Sequence, residues 1–498
     1  MGKQLIVNCD AREIRIGMLE DGKLVDLYFQ RSVDQRLVGN IYKGRVHDIL
    51  PGMQAAFVDI GLEKNAFLYV DDVVTDTVEN VSKIKKDIPI SSLLHQGQEL
   101  LVQVIKEPFG TKGARVSTNI NIPGRYSVLM PLSDYIGISR KVEEEADRTR
   151  LRTWATSLCE RDQHGIILRT VAGNADYQQI QADYEHLAGA WRAIRKRAEA
   201  AKTPSVVHQD LEIVPRILRD ILNDEIAEIV VDRFDEYMAV SKMVEQSEGQ
   251  SKPEVTHYHR NVPIFDYFEI ESEIEQALRP KVWLRNGGYL IFDTTEALTV
   301  VDVNTGKYVG KRNLEETVVN TNIEAAKEIA LQLRLRNISG IIIVDFIDMH
   351  IDENQKRVLQ ILEQELKKDR NKTQLLGITK LGLVEITRKK IRKSLHEVFY
   401  EGCTCCGGRG KVLSDITIAN KIDREVRFYL RHTKDEAIVV EMHADVQEVF
   451  SGVDGEHIQE IKTMFGKQIL IRSFAQVDRQ HFRIVFSGDE REAKEYYG

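Results

Sequence analysis

The hydrophobic pattern of the chain is clearest over residues 298–350, where two apolar segments flank a long amphipathic one. The apolar segments, 298–306 and 340–350, are rich in β-branched residues and predict strands. The segment between them, 314–336, predicts a helix, since apolar residues recur at helical spacing at Val318, Ile323, Ala326, Ile329, Ala330 and Leu333. Strand, helix and strand in this order predict a crossover unit in a mainly parallel sheet, with its chemistry beyond the carboxyl ends of the strands.

Each of these predicted strands delivers polar side chains at its end. Asp302 and Asn304 end the first, and Asp345 and Asp348 end the second. The apolar run 341–344 predicts a strand buried on both faces. A carboxylate at the end of such a strand has a high desolvation cost unless a cation binds it. Mg²⁺ suits such a pair, because it binds one or two carboxylates together with water and phosphate oxygens. Helix caps or loop carboxylates would give the same spacing, which leaves both interpretations open.

Composition limits the class of protein. The chain has 498 residues, of which 42% are hydrophobic, and this predicts several domains. No segment has the length of apolar sequence that a bilayer requires, and the N-terminus does not resemble a secretory signal. Five cysteines, three of them clustered, do not form a disulfide framework and favour a cytoplasmic location. The net charge of −8 excludes a bulk polyanion binder, so any nucleic acid would meet local basic patches.

Residues 36–125 contain short strands separated by glycine-containing turns, which predicts a small closed antiparallel barrel of the OB type. Phe57 and Phe67 fall on successive strands. Aromatic rings beside cations hold single-stranded nucleic acid by stacking and charge neutralisation, although the two rings could equally fill the barrel. The basic residues expected near them are Lys43, Arg45, Lys106 and Lys112.

Two further stretches suit phosphate groups. The strand predicted at 165–168 ends in Arg169 and Thr170, a guanidinium fork beside a hydroxyl that matches a terminal phosphate, although most such pairs only decorate a surface. The segment 367–393 holds ten Lys and Arg residues against two acids, a density that phosphate contacts explain better than a solvated face does.

The cysteine cluster lies in the segment 401–410, EGCTCCGGRG. Cys403 and Cys406 have the spacing of one half of a tetrahedral zinc site, and a complete shell would need a second copy of the chain. A thioredoxin-type redox pair and buried free thiols are the alternatives. The redox pair would start a helix, which the glycines after Cys406 disfavour. Cys405 could replace either ligand.

These motifs resemble the ribonuclease E/G family over essentially the whole chain. The resemblance rests on LTVVDVNTG (298–306), GIIIVDFIDM (340–349), CTCCGGRG (403–410), GNIYKGRVHDILPGMQAAFVDIG (39–61) and ILRTVAG (167–173). The sequence stops soon after a small C-terminal domain, so it is similar to the short, G-type branch, which lacks a scaffold tail. It departs from the family pattern at Cys405 and at Lys380, where Arg is expected.

The resemblance implies an endoribonuclease that uses Mg²⁺ to cut single-stranded, AU-rich RNA into products with a 5′ phosphate and a 3′ hydroxyl. Substrates with a 5′ monophosphate would be preferred, in ribosomal RNA 5′-end maturation and mRNA decay. Asp302 and Asp345 would hold Mg²⁺, and Asn304 would position the attacked phosphate. The residues expected to grip RNA are Phe57, Phe67, Lys106 and Lys112. The residues expected to form a pocket for the 5′ end are Gly124, Val128, Arg140, Arg169 and Thr170.

The resemblance also implies an α/β multidomain fold and self-association. Cys403 and Cys406 would bind zinc between two subunits, with dimers pairing into tetramers. The implied domains are an RNase H-like domain (1–35 with 215–278), an inserted OB-type barrel (36–125), a 5′-sensor domain (126–214), a DNase I-like catalytic domain (279–400), a zinc link (401–415) and a small α/β domain for oligomerisation (416–498). Two rivals remain: a non-catalytic RNA-binding or ribosome-assembly factor, and a redox enzyme built on the two cysteines.

Overall fold

The computed structural model of the chain describes residues 2–31, 36–74, 88–108, 112–222, 226–246, 252–306, 314–475 and 478–497. The chain divides into two compact units, residues 1–395 and 396–498, and each is described by itself. Within the described ranges, no helix combines the length and the apolar character that crossing a bilayer requires.

The first sheet joins the N-terminal meander to strands from much later in the first unit. Its spatial order is Glu254–His257, Ile226–Val231, Lys3–Cys9, Glu13–Glu20 and Lys23–Arg31. The expectation that the meander pairs with a later segment is confirmed, because its first strand runs parallel to Ile226–Val231. Its core includes residues of the helices Ile213–Ile221 and Phe234–Gln246. The short helices Ile264–Tyr267 and Ile270–Leu278 follow.

The second sheet closes into the predicted barrel. Its five strands follow the order Ile41–Leu50, Ala55–Asp59, Ala66–Tyr69, Arg115–Ser117 and Glu99–Lys106, and the last pairs again with the first. The expectation of a wholly antiparallel barrel is wrong, because the third and fourth strands of this order are parallel. Ser205–His208 extends the sheet beside Ile41–Leu50, and a short helix covers Ile90–Leu93.

A third, four-stranded sheet carries the Arg169 segment. Its order is Ile136–Ile138, Gly165–Leu168, Ser127–Met130 and Ile122–Pro123. The helices Glu145–Asp162 and Tyr177–Ala200 pack on it through one shared core. The second helix, predicted near 175–201, begins at a capping box in which Asp176 accepts from the backbone of Gln179.

The fourth sheet, called the carboxylate sheet below, contains the two predicted strands at its centre. Its order is Lys281–Trp283, Tyr289–Thr294, Leu298–Asn304, Gly340–Asp345, Val384–Arg388 and Thr373–Ile378. The two central strands are parallel and are connected through the helix Leu314–Leu335, so the crossover unit is confirmed. The expectation of a mainly parallel sheet is wrong, because the pairings outside the central one are antiparallel.

Helices cover one face of the carboxylate sheet. Leu314–Leu335 and Asp352–Leu366 pack on the side chains of Ile342 and Val344, which are buried. Ile341, on the other face of the same strand, is 50% exposed. The expectation of a strand buried on both faces is therefore wrong: both helices pack on the same side of the sheet, and the apolar run includes residues of the open face.

The basic segment 367–393 is not a uniform phosphate patch. Arg388 is buried and its Nε lies 2.7 Å from Asp369. Further cations of this segment pair with carboxylates of the same chain: Lys367 with Glu363, Lys368 with Glu365, and Arg392 with Asp26. At least four of its ten cations thus have ion-pair partners within the chain, and the expectation of phosphate contacts is wrong for Arg388, whose side chain is buried.

The second unit is a small α/β structure, as predicted for the C-terminal segment. Its sheet has the order Gln468–Phe474, Ala437–His443 and Phe482–Gly488. Its helices are Asp415–His432, Ala444–Ser451, Glu456–Phe465 and Glu490–Tyr497, and a short helix at Leu395–Phe399 precedes the cysteine segment. The finer domain names drawn from the resemblance stay predictions.

Candidate active site

Asp302 and Asp345 lie opposite each other in the parallel pair at the centre of the carboxylate sheet. Residues that are opposite in a ladder project to the same face, and neighbouring strands lie about 4.8 Å apart. Both carboxylates therefore emerge side by side on the face that the helices leave open. Asn304, two residues beyond Asp302, shares this face, and its Nδ2 donates to Asp302 Oδ2 at 2.8 Å. Asp348 is exposed in the loop beyond the second strand.

The solvation of this pair differs from the sequence expectation. Asp302 and Asp345 are both exposed rather than held at a desolvated lip. Their repulsion is therefore screened by water, and no buried cation is needed to keep the fold intact. The two carboxylates can approach a hydrated ligand directly.

The donor set fits a hard cation. In the described part of the chain, no group of three or more His, Cys, Asp and Glu side chains is placed to hold a metal ion. A pair of carboxylates is nevertheless the usual protein contribution to Mg²⁺, which fills its remaining positions with water and phosphate oxygens. Asp302 and Asp345 meet that requirement, and they lack the thiolate and imidazole ligands that zinc prefers.

Asn322 holds the loop that follows Asp345, and the sequence did not single it out. Its side chain is fully buried on the crossover helix, where Nδ2 donates to the carbonyl of Ile347 at 2.8 Å and Oδ1 accepts from its N–H at 3.1 Å. One amide thus satisfies both backbone groups of Ile347 and fixes the path of the loop beyond the carboxylate.

Phe57 and Phe67 lie opposite each other on neighbouring barrel strands, with ring centroids 6.2 Å apart and planes at 71°. Both rings are half-buried, whereas the residues that alternate with them are buried: Ala56, Val58, Ala66 and Leu68. Since side chains alternate between the faces of a strand, the rings lie on the outer wall and the four buried residues fill the barrel. The alternative in which both rings fill the interior is wrong.

A row of cations continues from these rings. Arg115 lies opposite both Phe67 and Lys106, and its Nη2 lies 2.6 Å from Asp72. Lys106 and Lys112 are exposed. Arg115 was missed because its three-residue strand, Arg115–Ser117, is too short to give a pattern.

Two other cations expected near the rings have partners elsewhere. Lys43 Nζ lies 3.4 Å and Arg45 Nη2 lies 2.9 Å from the carboxylate of Glu99. The hydrogen bond from Arg45 is the largest cause of the lowered pKa of Glu99. Glu99 therefore stays ionised and neutralises much of the charge that Lys43 and Arg45 would offer to RNA.

Arg169, one of the five residues expected at the 5′-end pocket, contacts another of them, Gly124. Its Nη1 donates to the carbonyl of Gly124 at 2.7 Å and to Asp220 Oδ1 at 3.0 Å. Burial raises the pKa of Asp220, but Arg219 and Arg169 outweigh it and the net shift is downward. Asp220 is thus a charged partner that orients Arg169. The sequence could not reveal it, because 51 residues separate the two.

Asp183 shapes the turn that leads to Val128. Its carboxylate accepts the backbone N–H groups of Arg125, Tyr126 and Ser127. A Cβ at position 124 would lie 2.5 Å from Asp183 Oδ1, so this close approach requires glycine. Val128 then lies opposite Ile167 on the strand that leads to Arg169.

Thr170 begins the short 3₁₀ helix Thr170–Asn174, and its hydroxyl lies 2.8 Å from that of Ser139. Arg140 follows Ser139 and is exposed. Two hydroxyls thus meet here, and each belongs to a residue next to an arginine in the sequence, Arg169 or Arg140. Hydroxyl and guanidinium groups are suited to binding a phosphate.

The cysteine segment contains a turn at 404–408 and no helix, so the context that a thioredoxin-type pair needs is missing from it. Cys406 is buried, whereas Cys403 and Cys405 are exposed. The Gly410 N–H donates to Cys406 Sγ at 3.2 Å, and this bond followed by one from Cys403 lowers the pKa of Cys406. Cys406 therefore loses its proton more readily than a free cysteine does, and the deprotonated form is the one that binds a metal.

Comparisons with known proteins identify relatives of this chain. The model of the Ribonuclease E/G family matches residues 121–391. The chain is 41% identical over 489 residues to "Ribonuclease G" of Escherichia coli strain K12, covering 97% of this chain and 100% of that protein. It is 40% identical over 486 residues to "Ribonuclease G" of Haemophilus influenzae (97% and 99%). It is 41% identical over 414 residues to "Ribonuclease E" of a Nostoc species, covering 82% of this chain and 59% of that protein.

Proposed function

The chain belongs to the ribonuclease E/G family and is an endoribonuclease, and we propose that it hydrolyses single-stranded RNA at Asp302 and Asp345 with the help of Mg²⁺. The observation that carries this proposal is the register of the two central strands, which brings both carboxylates to the open face of one sheet. An RNA strand can reach this face from solvent, because both carboxylates are exposed.

Three residues have defined tasks in this proposal. Asp302 and Asp345 hold the cation. The side-chain amide of Asn304 fixes the orientation of the Asp302 carboxylate through its 2.8 Å hydrogen bond, and the same amide orients the attacked phosphate. Mg²⁺, when bound, polarises a phosphoryl oxygen and offsets the charge that develops there. The nucleophile is water rather than a ribose 2′-hydroxyl, so the products carry a 5′ phosphate and a 3′ hydroxyl.

The barrel and the Arg169 pocket select the RNA. Bases stack on Phe57 and Phe67, and phosphates meet Lys106 and Lys112, a combination that tolerates single-stranded, AU-rich sequence. A 5′ monophosphate binds in the pocket formed by Gly124, Val128, Arg140, Arg169 and Thr170. This contact accounts for a preference for monophosphorylated ends.

The physiological substrates that we propose are ribosomal RNA precursors, at their 5′ ends, and messenger RNA, in the cytoplasm. We assign the sheet of 1–35 and 215–278 to an RNase H-like domain and the carboxylate sheet to a DNase I-like domain. Cys403 and Cys406 of two subunits share one zinc ion in a dimer, and dimers pair into tetramers.

The test uses a 5′-monophosphorylated single-stranded oligoribonucleotide with Mg²⁺ and with EDTA. We expect cleavage that EDTA abolishes, and a loss of at least about a thousandfold in rate for Asp302→Asn and Asp345→Asn, since each removes a charged ligand of the ion. RNA binding by these variants should stay within about threefold of wild type, because the barrel contacts are untouched. Asp348→Asn is the matched control and should retain activity.

Full cleavage by either the Asp302 or the Asp345 variant would refute the assigned site. RNA binding without any cut product would favour a non-catalytic RNA-binding or ribosome-assembly factor instead. The 3′-end chemistry of the products separates water attack from 2′-hydroxyl attack, because the latter would leave a cyclic phosphate.

A further inference from the structure

An aromatic pair lies across the edge strand of the carboxylate sheet and its neighbour. Trp283 is 63% exposed, and Tyr289 lies opposite it on the next strand, with ring centroids 5.3 Å apart at 64°. Lys281 Nζ lies 4.0 Å from the Trp283 ring centroid and 3.7 Å from that of Tyr289. The core does not account for this group, since Leu284 is the buried residue of this segment.

The pair belongs to the same face as the carboxylates. Tyr289 lies opposite Asn304, and Ile291 on the same strand lies opposite Asp302. Opposite residues share a face, so one continuous surface runs from Trp283 through Tyr289 to Asn304. With strands about 4.8 Å apart, the strand of Trp283 lies roughly 10 Å from that of Asn304.

We propose that Trp283, Tyr289 and Lys281 form a second nucleotide-binding platform, on which a base of single-stranded RNA stacks beside the scissile phosphate. The proposal rests on the function proposed above, because it takes Asp302 and Asp345 as the point of cleavage. An exposed indole offers a stacking surface to any base, and Lys281 adds a charge for the adjoining phosphate. The platform is distinct from Phe57 and Phe67, which lie on the barrel.

Intrinsic fluorescence gives a direct readout of stacking. The chain has three tryptophans, of which Trp191 is buried and Trp154 is half-buried against Tyr177, so Trp283 is the most exposed. We expect a single-stranded AU-rich oligoribonucleotide, added in EDTA to prevent cleavage, to quench the wild-type emission. The quenching should disappear in Trp283→Phe, whose remaining signal comes from the other two indoles.

Binding and cleavage by matched variants complete the test. Trp283→Ala should weaken RNA binding about tenfold, Trp283→Phe should restore most of the affinity, and Lys281→Met should reduce the salt dependence of binding. Phe234→Ala, which removes a side chain 61% exposed outside this sheet, is the control and should bind as wild type. A substrate with one abasic site near the cut should be cleaved more slowly by wild type, whereas Trp283→Ala should not distinguish it from the intact RNA.

Unchanged affinity of Trp283→Ala together with unquenched Trp283 would overturn the platform, even if wild type cleaves RNA normally. A change in oligomeric mass of Trp283→Ala at unchanged affinity would also overturn it and would assign the surface to contact between copies. Quenching and a tenfold affinity loss in a protein that fails to cleave would support the platform and reject the proposed active site.

Discussion

Arg388 shows how a residue in a basic segment can serve the core instead of a ligand. Its guanidinium is buried, its Nε bonds to Asp369 at 2.7 Å, and its Nη1 donates to the side chain of Asn337 at 2.9 Å and to the carbonyl of Ile338 at 3.0 Å. Charge density along the sequence cannot distinguish this arginine from its exposed neighbours. Only its position on the covered face of the strand does.

Replacing Arg388 tests this structural role. Arg388→Met leaves the Asp369 carboxylate buried without its counter-ion, and we expect a loss of about 3–5 kcal/mol in stability. The measurement is the urea midpoint of the transition that reports the first unit. Lys389→Met, at the next and exposed position, is the control and should change stability by less than about 0.5 kcal/mol. A midpoint unaffected by Arg388→Met would show that the buried pair contributes nothing.

At the scale of elements, strand ends explain why distant residues reach one pocket. The strand Gly165–Leu168 delivers Arg169 and Thr170, while its neighbours Ser127–Met130 and Ile136–Ile138 deliver Val128 and Arg140. Asp220, from the helix Ile213–Ile221, then fixes the guanidinium. Three neighbouring strands and one helix thus supply the residues of the proposed 5′-end pocket.

The Arg169 pocket should control only how the cleavage rate depends on the 5′ end of the RNA. In Arg169→Ala and Thr170→Val, we expect the rate ratio between 5′-monophosphorylated and 5′-hydroxyl substrates to fall about tenfold or more, because charge-assisted bonds to the phosphate are lost. Cleavage of the 5′-hydroxyl substrate should stay unchanged. Arg195→Ala, an exposed arginine paired with Glu199, is the control. Loss of activity on both substrates would instead indicate a role in folding or in the cleavage site.

At the scale of the whole molecule, sequence predicted elements better than it predicted their solvation and neighbours. The crossover unit of the carboxylate sheet and the closed barrel follow from hydrophobic period and turn spacing, which are local. The antiparallel flanks of the carboxylate sheet depend on which strands later fold back, for example Val384–Arg388 beside Gly340–Asp345. Long-range packing determines which strands pair at these flanks.

The residues of the candidate site also differ in whether the sequence alone predicts them. Asp302, Asn304 and Asp345 stand out because they end two apolar runs that a helical segment connects, a pattern that predicts neighbouring strands. Asn322 and Asp220 do not, since each acts through a contact with a residue far along the chain: Asn322 through the backbone of Ile347, and Asp220 through Arg169. The residues that position the reactive groups are therefore visible only in the folded chain.

The proposed zinc link makes a prediction about assembly. Since each chain would supply Cys403 and Cys406, we expect one zinc ion per two chains, and chelation should convert dimers into monomers. Cys403→Ser and Cys406→Ser should each lose zinc and dimerise poorly. Cys405→Ser is the matched control, because it removes an exposed thiol of the same segment that lies outside the proposed ligand pair. Metal content by mass spectrometry and molar mass by light scattering measure both effects, and zinc lost only in Cys405→Ser would reassign the ligand to Cys405.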